Sequence, residues 1–98
     1  MSEQKESALK GEELHSQAGK LEGWTLADEK RLEKEYRFPD FREALAYVNR
    51  LGEVAEREGH HPDIFLTWGK VKVTLWTHSA GGLTPKDFAL AAEADAVR

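Results

Sequence analysis

Apolar positions recur along this chain with two different spacings, one of two residues and one of helical period. Trp24 to Ala27 and Lys30 to Phe38 predict a pair of antiparallel strands, with Ala27-Asp28-Glu29 as the turn. In the longer run Leu32, Tyr36 and Phe38 share one face, and Arg31, Glu33, Glu35 and Arg37 share the other. That is the pattern of a half-buried strand, with Lys34 out of place among the apolar positions. Pro39 ends the run. Asp40 then predicts a helix N-cap, with Glu43 three residues on as in a capping box. Phe41, Ala44, Leu45, Val48, Leu51 and Ala55 follow at helical spacing, and Gly59 should stop the helix. Tyr47 and Val54 lie beside this stripe and widen it. A stripe so broad fits a helix facing both the sheet and a partner subunit. It fits equally a helix edge that buries two more side chains at home.

The pattern then repeats. Ile64 to Trp68 and Lys70 to His78 predict a second strand pair, with Gly69-Lys70 as the turn. Val71, Val73, Leu75 and Thr77 face one way, and Lys72, Thr74, Trp76 and His78 the other. A last helix should start at Thr84, with Pro85 in its first turn and Asp87 third, completing a second capping box. Leu83 and Phe88 occupy the positions of a hydrophobic staple. Ahead of all this, Gly11 to Gln17 predicts a short helix, Gly19 and Gly23 bracket a turn, and polar Met1 to Ser7 should be frayed. The order α-ββα-ββα predicts an α+β fold: a four-stranded antiparallel sheet with helices on one face, as a single domain over residues 1–98.

Composition narrows the function. The chain has no cysteine, which excludes disulfides and thiolate metal sites. Its net charge is −4 and no Lys/Arg cluster stands out, which argues against nucleic-acid binding. No apolar run approaches the roughly 20 residues that span a bilayer, and the N-terminus lacks a signal-peptide stretch. The expected address is the cytoplasm, with no membrane partner.

Three of the four histidines fall in the second half, at His60, His61 and His78. Histidine is the side chain whose ordinary pKa lies nearest neutrality, so the cluster suggests proton transfer or metal binding. Each residue also has a plainer reading. His60-His61, beside Pro62, could line one cavity or form a surface pair. His78 stands where a strand meets Ser79-Ala80-Gly81-Gly82, either a site or only a turn. Glu56 could orient a histidine or simply be solvated. Asp87 could support the site or only cap its helix. Trp68 could wall a flat ligand, but its size favours the core. Three imidazoles could also hold zinc with a fourth position open, though no His-x-x-x-His or His-x-His pair fixes such geometry. His15 reads as surface.

Glu56-x-x-x-His60-His61-Pro62, then Trp68, His78 and Asp87 at their spacings, resembles the signature of the pterin-4a-carbinolamine dehydratase family. Gly23-Trp24, Phe38-Pro39-Asp40-Phe41, the long helix and the Thr77-His78 to Gly82-Leu83-Thr84 segment extend the resemblance over roughly Leu21 to Asp95. The resemblance implies dehydration of 4a-hydroxytetrahydropterin to quinonoid dihydropterin, which recycles the cofactor of aromatic amino-acid hydroxylases. It implies no cofactor or metal of the protein's own. His60, His61 and His78 would be catalytic, with Glu56, Pro62, Trp68 and Asp87 binding substrate or supporting. It also implies dimers joined sheet edge to sheet edge, and in some members tetramers through the long helix. Animal members act in addition as dimerisation cofactors of a homeodomain transcription factor, the alternative role.

Overall fold

The computed structural model describes residues 7–98. The first six residues, and with them nearly all of the stretch expected to fray, lie outside that range. Helix α1 spans Gly11–Gly19, and β1 (Thr25–Ala27) and β2 (Arg31–Arg37) form a hairpin. Asp28 and Glu29 both take positive φ, 53° and 57°, the handedness that matches a tight turn to the twist of its strands. Helix α2 spans Phe41–Glu58. Asp40 Oδ1 accepts the Glu43 backbone N–H at 2.9 Å, and Gly59, at φ 68°, closes the helix. Strands β3 (Asp63–Thr67) and β4 (Lys70–Leu75) form the second hairpin, and α3 spans Pro85–Ala96.

The strands make one antiparallel sheet in the order β1-β2-β4-β3. The long strands β2 and β4 are central and the short ones are edges. One face packs Leu32, Tyr36, Val71, Val73 and Leu75 against Tyr47, Leu51 and Val54 of α2 and Leu90, Ala91 and Ala94 of α3. The other face is polar and carries cross-strand pairs, Lys72 with Glu33 at 3.6 Å and Lys70 with Glu35 at 3.8 Å. Among the described residues no helix is long and apolar enough to cross a membrane.

Three local expectations need correction. The second hairpin turns at Trp68-Gly69, one residue early, because Lys70 already pairs with Thr67 and Arg37. Gly69 is required there: a Cβ would stand 2.8 Å from the Phe38 carbonyl oxygen. The last ladder ends at Leu75 rather than His78, since Thr77 makes only an isolated bridge to Gly82 and His78 opens a 3₁₀ turn. Side-chain alternation nevertheless continues, with Thr77 buried and His78 exposed.

The buried stripe of α2 is Ala44, Tyr47, Leu51, Val54 and Ala55, rotated from the one expected. Tyr47 and Val54 are core, while Phe41 and Leu45 are 44% and 40% exposed. The apolar surface that α2 leaves open is therefore not Tyr47, Leu51 and Val54. Lys34, finally, does point to the core side. Its Nζ reaches Asp95 Oδ1 of α3 at 2.8 Å and the Glu22 carbonyl at 3.1 Å.

Asp95 also accepts from Tyr36 Oη at 2.5 Å and Trp24 Nε1 at 3.2 Å, so one carboxylate ties the end of α3 to the first hairpin. Burial alone would raise its pKa. The bonds from Lys34, Tyr36 and Trp24 outweigh burial and hold it below its ordinary 3.8. A depressed folded-state pKa contributes stability above the unfolded value and loses it as pH falls through the folded value. Urea midpoints of the wild type should therefore drop as pH falls below 3.8. Asp95→Asn should be less stable at neutral pH and show a shallower acid-side drop. An equal drop in both proteins would show that this carboxylate plays no part.

Candidate functional site

The site is organised around Asp87, at the start of α3. Thr84 is the N-cap, Pro85 the first helical residue and Asp87 the third, which turns the carboxylate back on the helix start. Leu83 and Phe88 are buried on either side, as a staple requires. Asp87 Oδ2 accepts the Thr84 backbone N–H at 2.9 Å and the Thr77 hydroxyl at 2.7 Å. Asp87 Oδ1 meets His60 Nε2 at 2.6 Å. Asp87 is completely buried, and three donors satisfy its charge. It thus joins both histidine segments: His60 directly, and His78 through the neighbouring Thr77.

This bond fixes the chemistry open to His60. A carboxylate only accepts, so the Nε2 proton is held on the ring and Nδ1 is the nitrogen free to take or give a proton. His60 borders a cleft of about 190 Å³ with Glu58, Lys86 and Leu90. That volume is less than the roughly 300–1,000 Å³ of most ligand pockets.

His61 turns to the surface, where its Nε2 lies 2.6 Å from Glu56 Oε2. Both side chains are well exposed, so the pair orients the ring more than it stabilises the fold. Pro62 follows, and Asp63 begins β3 opposite Thr74 of β4. His78 is held by stacking: its ring lies 3.9 Å from the Trp76 ring, tilted by 31°. The Arg31 guanidinium stands 5.8 Å from the Trp76 ring. The aromatic pair therefore presents His78, exposed, at the end of the sheet.

The structure thus brings together Glu56 with His61, and His60 with Asp87, Thr77 and the start of the His78 turn. It does not bring Trp68 there. Trp68 sits at the tip of the β3–β4 hairpin, 68% exposed, at the opposite end of the strand from His61. The expectation of a core Trp68 fails because the ring falls in a turn that the core does not reach. Among the described residues no three His, Cys, Asp or Glu side chains are grouped to hold a metal.

Sequence reasoning placed Thr77, Thr84 and Trp76 in their elements but gave none of them a contact with Asp87 or His78. Thr77 left a signal: it is the polar member of an otherwise aliphatic inward column. A hydroxyl there needs a buried acceptor, and Asp87 is that acceptor.

Residues 7–97 match the sequence profile of the family described as pterin 4 alpha carbinolamine dehydratase. A protein of Rubrobacter xylanophilus, provisionally named a pterin-4-alpha-carbinolamine dehydratase, is 52% identical over 87 residues, 89% of this chain and 81% of its own length. One of Trichormus variabilis with the same provisional name is 60% identical over 80 residues, 82% of this chain and 85% of its own. Among solved structures, a transcriptional coactivator/pterin dehydratase of Brucella melitensis superposes with a TM-score of 0.87 at 30% identity, covering 93% of this chain and 98% of that one. A pterin dehydratase-like protein identified as a RuBisCO assembly factor in the alpha-carboxysome gives 0.66 at 25% identity, covering 76% and 88%.

Proposed function

The chain belongs to the pterin 4 alpha carbinolamine dehydratase family, and from that premise we propose that it is a hydro-lyase that dehydrates 4a-hydroxytetrahydropterin by histidine acid–base catalysis. The observation that carries this reading is the His60–Asp87–Thr77 network, which sets one imidazole in a fixed tautomer beside the segment bearing a second.

The reaction breaks the C4a–O bond and forms a carbon–nitrogen double bond in the ring. One proton goes to the leaving hydroxyl, which departs as water, and one leaves a ring nitrogen. His60 Nδ1 and the exposed His78 ring are the acid–base pair, and His61, oriented by Glu56, binds substrate and exchanges protons with it. Glu56, Pro62, Trp68 and Asp87 support or bind. In the cell the product would feed the reduced pterin cofactor of an aromatic amino-acid hydroxylase, in the cytoplasm, from a homodimer or a tetramer.

The test is the rate of dehydration of a synthetic 4a-carbinolamine, measured before and after exhaustive chelation. Enzyme-dependent turnover that chelation leaves unchanged is the expected result, because imidazoles can move both protons without a Lewis acid. No turnover by folded protein would refute the dehydratase reading. Turnover abolished by removal of one tightly held metal per chain would favour a zinc site at the histidines.

A second reading is an interaction module, favoured by the exposed Phe65 and Trp68 on one edge strand and its turn. Two solved structures that the chain resembles are described as a transcriptional coactivator/pterin dehydratase and as a pterin dehydratase-like protein that is a RuBisCO assembly factor. Partner capture that survives in a catalytically dead variant would show that role to be separate.

A further inference from the structure

Gly82, which closes the turn that carries His78, is crowded by a residue far away in the sequence. Its φ lies outside the left-handed range, so an alanine there meets no backbone strain. What it lacks is room. A Cβ on Gly82 would stand 2.9 Å from the Cβ of Ala8, closer than side-chain carbons pack. The neighbouring Gly81 has open space where its own Cβ would be, although its φ of 69° is left-handed. The crowding at Gly82 therefore comes from the segment 7–10, which runs into α1.

We propose that this segment is a positioning element for His78: it seats the 3₁₀ turn that carries the imidazole, and through Thr77 it steadies Asp87 and His60. This rests on the dehydratase reading and deepens it, naming residues that act on the acid–base pair through other residues.

The segment is itself anchored. Leu14 of α1 is buried, Leu9 packs against the core, and Lys10 is extended. The Leu9 backbone N–H donates to the Leu83 carbonyl at 2.7 Å, so the chain lies along Gly82-Leu83 as a short extended cover.

From Gly82 the contact runs on in short steps. The Thr77 N–H donates to the Gly82 carbonyl at 2.8 Å and closes the loop that contains His78. The Thr77 hydroxyl donates to Asp87 Oδ2 at 2.7 Å, and Asp87 Oδ1 meets His60 Nε2 at 2.6 Å. A push on Gly82 thus reaches His78 along the turn and His60 through Thr77 and Asp87. Such a seat matters more to catalysis than to the fold. His78 is exposed and its ring is held by Trp76, so a small shift of the turn costs little burial. An acid or base displaced by about 1 Å can lose ~10²-fold in rate.

The test is Gly82→Ala in the full chain, which sets two methyl carbons against each other. In dehydration of a synthetic 4a-carbinolamine kcat should fall about 10- to 100-fold with KM changed much less, because a proton carrier moves while the binding surface stays. Adding Ala8→Gly removes the opposing methyl and should restore kcat to within about threefold of wild type. A folded Gly82→Ala variant with wild-type kcat would overturn the proposal. So would a double variant as slow as Gly82→Ala, since the new methyl would then act somewhere other than Ala8.

If Gly82→Ala fails to fold, Ala8→Leu crowds the same contact from a segment that can lift without opening the core. There kcat should again fall ~10-fold, and an unchanged value would overturn the seat. Absence of wild-type turnover would sink the dehydratase reading instead. The imidazole signals of His78 in an NMR spectrum, assigned with His78→Ala, then decide the seat. They should shift in Gly82→Ala or Ala8→Leu, and return when Ala8→Gly is added to Gly82→Ala. Signals that stay at their wild-type positions in the crowded variants would overturn it.

Discussion

A chain carrying His60→Ala and His78→Ala together should dehydrate a synthetic 4a-carbinolamine no faster than buffer. The two substitutions remove the proposed acid–base pair, and loss of one positioned acid or base typically costs ~10²–10⁴-fold. The single variants separate chemistry from folding. His78 is exposed and touches Trp76 by stacking alone, so His78→Ala should lose turnover with little change in urea midpoint. His60→Ala leaves the buried Asp87 one donor short and should also destabilise, by about 1–3 kcal/mol. Wild-type rates in both folded single variants and in the double variant would remove these histidines from the chemistry.

Asp87→Ala should cost about 2–4 kcal/mol of stability by urea unfolding, because three donors at a buried site lose one acceptor together. Turnover should fall with it. Asp87→Asn distinguishes a cap from a site residue. Its amide has the same shape, and its oxygen can still receive the Thr84 N–H and the Thr77 hydroxyl. The amide nitrogen then faces His60 Nε2 and repels a proton there, driving the imidazole to its other tautomer. Stability should be largely kept while kcat falls at least ~10-fold, since the proton then sits on the nitrogen meant to be free. Loss of stability with intact kcat, measured at a temperature where the variant stays folded, would leave Asp87 a structural cap.

The architecture was legible because it rests on local patterns. Alternation marked the strands, and Asp40 and Thr84-Pro85 marked helix starts through capping rules that act within one turn. What was not legible joins distant residues. Asp87 read mainly as a cap. It is one, through Oδ2, but Oδ1 crosses to His60, 27 residues away, and such a contact leaves no periodic trace. Lys34 looked misplaced until Asp95 appeared beside it, 61 residues on. The rotated stripe of α2 has the same cause. Tyr47 fits the core because its hydroxyl donates to the Ala94 carbonyl at 3.0 Å, a partner on another helix. Counting apolar side chains on α2 gave Phe41 and Leu45 a weight that burial does not. Size misjudged Trp68, because a large ring in a hairpin tip has no core to enter.

Helix α3 is pinned near both ends by carboxylates. Asp87 ties its first turn to the histidine segments, and Asp95 ties its last to the first hairpin. The two anchors stand about 12 Å apart along the axis, little more than two turns. Fraying from either end must break a buried or partly buried network before it frees a single turn, so α3 has no cheap partial opening. For a hydro-lyase of the proposed kind, the turn that carries Asp87 would then open together with the far end of the helix, so warming should remove activity and helix α3 in one step.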